Sequence, residues 1–103
     1  MEQTIATRRS KWLIEDVLTE IDFIHLHGQY EDYFTIVSLK NFMEMRIGKY
    51  INYLFDEEPV MLKTSYELFY ETFEMLMKLA ESLAYEEQRV NKKVYKKAVK
   101  ELI

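Results

Sequence analysis

Six cations fall within the twelve residues from Arg89 to Lys100: Arg89, Lys92, Lys93, Lys96, Lys97 and Lys100. Such density suits contact with phosphates, where each cation displaces a condensed counterion. Arg8, Arg9 and Lys11 add a smaller cationic group near the other end. These nine residues are the candidate nucleic-acid contacts. Base stacking would need aromatic side chains among the cations, and Tyr95 alone is placed for that. A plainer explanation competes. If the C-terminal segment is one helix, acids gather in its first half and bases in its last turns, which complements the macrodipole and adds pairs such as Glu86 with Arg89. We take this dipole-matched, solvated face as the first reading and phosphate contact as the second.

His25 and His27 are the only histidines. Two residues apart on a helix, their rings diverge by about 200°, so they cannot share a metal as an i, i+4 pair does. Asp22 and His25 can meet, yet one such pair falls short of the doubled Glu-x-x-His sites of di-iron helical proteins. Asp56, Glu57 and Glu58 lack the ordered spacing and the glycine of a calcium loop. Cysteine is absent, which excludes disulfides, thiolate metal sites and a thiol nucleophile. No glycine-rich phosphate loop and no Ser/His/Asp spacing is recognisable. The expectation is a protein that is not an enzyme, with no cofactor and no metal.

Charge is distributed unevenly. Residues 12–88 carry 16 acidic and five basic side chains, a net of −11, whereas the first 11 residues sum to +2 and the last 15 to +5, giving −4 in all. An acidic body with basic ends disfavours wholesale nucleic-acid binding and leaves room for a local contact. The opening residues lack the basic and apolar regions of a signal peptide. Thr7-Arg8-Arg9-Ser10-Lys11 resembles a twin-arginine signal only until Glu15, Asp16, Glu20 and Asp22 interrupt it. No apolar run reaches membrane-spanning length. The expected location is the cytoplasm.

The elements that must position these side chains read as helices. Two glycines and one proline in 103 residues leave too few turns for a many-stranded fold, so one all-α domain, 1–103, is expected. Leu13, Ile14, Val17, Leu18, Ile21 and Ile24 share one face of a helix over about 8–27, with Gly28 as its C′ residue. Trp12, Phe23 and Leu26 form a second, smaller stripe, read as cover for a neighbouring loop. Gly28–Asp32 reads as a loop. Tyr33–Val37 has strand composition, but finds no partner strand unless a second copy supplies one, so irregular or early-helical structure is expected there.

A second helix over about 39–55 is capped by Ser38, carries Leu39, Phe42, Met43, Ile47, Tyr50 and Leu54 on one face, and has Gly48 on its polar side. Gly48 is unfavourable there by about 1 kcal/mol relative to Ala, and either permits a close contact or is simply tolerated. Pro59 ends this helix. Thr64 and Glu67 read as the capping box of the next. Because Val90, Val94, Ala98 and Leu102 keep the phase of Phe69, Phe73, Leu76, Ala80 and Leu83, one long helix over 64–103 is expected, with a possible break near Asn91.

That last segment is the organising element. Apolar residues cover roughly 220° of it, about twice what a surface helix needs. Its seam (Phe69, Phe73, Leu76, Ala80, Leu83) is expected to face the first two helices. Leu68, Met75 and Leu79 on one flank, and Tyr70, Met77 and Ala84 on the other, remain as candidate interface residues. Exposing one flank forgoes a few kcal/mol at roughly 25 cal/mol per Å², and pairing two copies about a two-fold axis would recover it. Methionines and 15 aromatic residues suit such a surface. The sequence therefore predicts an all-α, three- or four-helix bundle built around a long C-terminal helix, expected as a homodimer and acting as a protein–protein interaction module: a small regulator or assembly factor. The alternative is a nucleic-acid-associated protein that uses its basic ends.

Overall fold

The computed structural model describes residues 5–24 and 32–102 and, within them, every side chain except those of residues 5–9 and Glu87. It is mostly helical, with one small antiparallel sheet. Helix α1 (Ile5–Glu20) runs on into a 3-10 turn (Ile21–Phe23). Strand β1 (Tyr33–Thr35) leads directly into α2 (Ile36–Glu57). A 3-10 turn (Pro59–Met61) connects to α3 (Leu62–Leu83). Another (Glu86–Gln88) precedes strand β2 (Arg89–Asn91) and α4 (Lys92–Leu102). His25, His27, Leu26 and Gly28 lie outside the described residues.

α3 is the central helix, packed against both α1 and α2, with α4 lying against it as well. Phe69, Leu76 and Ala80 of the seam are fully buried, and Phe73 and Leu83 partly so. They meet Leu13, Val17 and Ile21 from α1 and its 3-10 turn, Leu39, Met43 and Leu54 from α2, and Val99 from α4, all in one apolar cluster. Trp12 stacks on Phe69 with ring centroids 6.5 Å apart and lies 5.6 Å from Tyr50. It therefore seals the junction of three helices, while Phe23 stands 68% exposed.

Strand 33–35 finds its partner within the chain. Tyr33 pairs with Asn91, Phe34 with Val90 and Thr35 with Arg89. Phe34 and Val90 are fully buried, and the Phe34 ring meets Tyr95 edge-on at 5.2 Å. This ribbon ties the α1–α2 connection to the α3–α4 connection, and a Lys92 N–H bond to the Asp32 carbonyl extends it.

The same ribbon corrects the expectation of one long helix. The chain turns extended at Ala84, passes through Gln88 at φ 58°, and re-enters a helix only at Lys92. Gln88 occupies the left-handed region that non-glycine residues seldom adopt. The Asn91 side-chain carbonyl then accepts from Val94 N–H at 3.0 Å and caps α4. The apparent phase is coincidental: α4 buries Lys92, Tyr95 and Val99, whereas Val94 and Leu102 are each half exposed.

Two helix starts also differ from the expected ones. α2 begins at Ile36 with Thr35 as its cap. Thr35 Oγ1 accepts from Ser38 N–H and Ser38 Oγ from Thr35 N–H, both at 3.1 Å, so Ser38 is the third residue of a capping box. α3 begins at Leu62, before Thr64, because the Pro59 turn already delivers helical backbone. α2 ends at Glu57, just short of Pro59, as the sequence predicts.

Candidate protein-interaction groove and cationic face

An open groove of about 380 Å³ runs between α2 and α3. Ile47, Gly48 and Ile51 line one side, Tyr66, Tyr70 and Phe73 the other, and Glu44 and Asn52 stand on its rim. Each set recurs at helical spacings of three and four, so each forms a continuous wall. The aromatic wall is a ladder, with Tyr66–Tyr70 centroids at 4.9 Å and Tyr70–Phe73 at 6.0 Å. Both tyrosines are 45% exposed. The hydrogen bond between their hydroxyls raises the Tyr66 phenol above its ordinary 10.0. Gly48 forms the low point of the opposite wall. A Cβ built there meets nothing within 4 Å.

The six flank residues separate in the structure. Tyr70 lines the groove, and Met75 is exposed outside it. Leu68, Leu79 and Ala84 are half-buried. Met77 is buried in the core cluster, although Tyr70 of the same flank stays exposed, and so leaves the interface set. Sequence reasoning missed Tyr66, Ile51 and the open side of Phe73. The i, i+4, i+7 spacing of Tyr66, Tyr70 and Phe73 was the available signal.

The nine candidate cations are also divided. Lys92 is buried, its ammonium donating to the Asp22 carbonyl at 2.8 Å, so it is structural and not a phosphate contact. Lys96 sits 3.0 Å from the Asp22 carboxylate. Arg89 donates from Nε to the Glu86 carbonyl and lies over the Tyr85 ring at 5.8 Å. Lys93, Lys97 and Lys100 remain exposed along one face of α4. Lys11 is exposed on α1, 11 positions before Asp22 in the sequence. The side chains of Arg8 and Arg9 lie outside those described. The break before α4 also removes the dipole argument for part of this group, since Lys92 and Lys93 occupy a first turn, where the helix end is positive.

One polar cluster crosses from α1 to α2. The Tyr50 hydroxyl donates to the Asp16 carboxylate and lies 3.2 Å from the Trp12 carbonyl, while Arg46 Nε stands 3.8 Å from Asp16. Desolvation raises the Asp16 carboxyl above its ordinary 3.8, against the opposing pull of Arg46. Arg46 also rests over the Phe42 ring at 5.5 Å. The cluster clips two helices together. Among the described residues, no group of three or more His, Asp or Glu side chains is placed to hold a metal. No helix among them is long and apolar enough to cross a membrane.

Compared with known proteins, the chain matches no family model, no curated protein and no solved structure.

Proposed function

We propose that this chain is a non-enzymatic protein–protein interaction module, a small cytoplasmic regulator or assembly factor. In this reading its helices form a bundle around α3, and its α2–α3 groove receives an apolar helix face. The observation that carries the reading is Gly48. A glycine in a helix interior is unfavourable by about 1 kcal/mol relative to alanine. Positive φ or a close approach within the fold ordinarily explains such a residue. Neither applies here, since Gly48 has helical neighbours on both sides and open space where a Cβ would stand. What the missing side chain provides is depth in the groove, opposite exposed aromatic rings that suit a helix-in-groove contact.

Self-association is the direct test of the groove. Sedimentation velocity on the wild type and on Gly48→Trp should show association in the first and its loss in the second, with thermal melts showing both folded. Tyr70→Glu should have the same effect. A wild type that self-associates equally with the groove filled would refute the groove as the contact.

A further inference from the structure

We infer that the α2–α3 groove takes α4 of a second copy of this chain, in a head-to-tail contact. The inference rests on the groove reading above and names its occupant. Beside the aromatic wall, α3 exposes Glu67, Glu71 and Glu74 at i, i+4 and i+7. On α4, Lys93, Lys97 and Lys100 are exposed at the same spacing. Each row spans about 10 Å. None of the six has an ion-pair partner among the described residues. Beside the lysine row α4 carries Val94, Ala98 and Leu102, with Val94 and Leu102 each 50% exposed.

The order of these stripes around each helix decides the docking. At about 100° per residue, α3 passes from its aromatic wall to its carboxylates, and α4 passes, in the same sense, from its lysines to its apolar stripe. Two helices laid side by side and parallel face each other in opposite rotational order. The aromatic wall of α3 then meets Val94, Ala98 and Leu102, and Glu67, Glu71 and Glu74 meet Lys93, Lys97 and Lys100 in sequence. Groove-to-groove pairing about a two-fold axis would bring two acidic-rimmed grooves together instead.

Countercharge within the chain is sparse: Lys63, Lys78 and Glu101 stand four residues from Glu67, Glu74 and Lys97, and none of these pairs closes to ion-pair distance among the described residues. Like charges at i, i+4 destabilise a helix, and Lys93 opposes the positive end of the α4 dipole. A second copy supplies the missing countercharge. Because the donor helix and the acceptor groove are different surfaces, the contact is heterologous, and copies add as rings or open chains. Exposed ion pairs are individually weak and are screened by salt. The association is therefore concentration-dependent and salt-sensitive.

The test is a charge reversal on the full chain. One variant carries Glu67→Lys, Glu71→Lys and Glu74→Lys, the other Lys93→Glu, Lys97→Glu and Lys100→Glu. Sedimentation velocity should show association of the wild type that weakens about tenfold or more between about 20 mM and about 500 mM salt. Each variant alone should be monomeric, and an equimolar mixture should associate again. Should either reversal unfold the chain, Gln at the same positions removes the charge without reversing it and should still abolish association. Wild-type association that both variants retain and Tyr70→Glu abolishes overturns the assignment to α4 and leaves the groove reading intact. A wild type that is monomeric at low salt overturns both. If that monomer is retained on nucleic acid at low salt and the lysine variant is not, the row is a phosphate contact instead.

Discussion

Replacing Gly48 by alanine separates what the fold asks of this position from what the groove asks. The new methyl group meets no atom within 4 Å, so no packing strain opposes it. Its effect on the fold is then helix propensity alone, a gain of about 1 kcal/mol. In a domain of this size that raises the melting temperature by about 4–5 °C. Circular dichroism melts at low protein concentration, where self-association contributes little, measure this directly. A parallel urea series should move the midpoint and leave the slope unchanged, since the surface exposed on unfolding is the same. At high concentration the advantage of Gly48→Ala should shrink, because a methyl group on the groove floor hinders the occupant. A melting temperature lowered by the substitution would refute the reasoning, for it would mean that Gly48 serves a close contact inside the fold.

Three further outcomes are expected. Desolvation raises the folded-state Asp16 carboxyl above its ordinary 3.8, so the stability tied to its protonation is present below that value and is lost as pH rises through the raised one. Relative to Asp16→Asn, the wild type should therefore lose stability from pH 3 upward in urea titrations. A slope of the opposite sign would show that Arg46 outweighs burial. Gln88→Gly should stabilise the chain by up to about 1 kcal/mol by relieving the left-handed backbone at φ 58°, and Gln88→Val should destabilise it, as thermal melts would show. Phe34→Ala should cost about 3–5 kcal/mol in urea unfolding, because Phe34 is fully buried against Tyr95. A loss below about 1 kcal/mol would mean that the two-stranded ribbon is not part of the core.

The amphipathic phases of α1, α2 and α3 are local properties, and the sequence alone determined them. Leu13, Val17 and Ile21, Leu39, Met43 and Leu54, and Phe69, Leu76 and Ala80 lie at 3.6-residue spacing, and all are buried in the structure. The scarcity of Gly and Pro likewise pointed to helices. What only the tertiary structure decided is non-local. Three residues of strand at 33–35 carry too little alternation to reveal a partner at 89–91, and that pairing is what breaks the C-terminal helix. The pattern Val90, Val94, Ala98, Leu102 read as a continued seam because phase is blind to a turn that resets it. Lys92 looked like any surface cation until the chain brought the Asp22 carbonyl to it, which satisfies the ammonium and makes its burial possible. The groove depends on the same kind of information. Tyr66, Tyr70 and Gly48 are visible as residues, but which side of α3 stays open is set by where α1 and α2 settle. That choice is made by packing across the whole core.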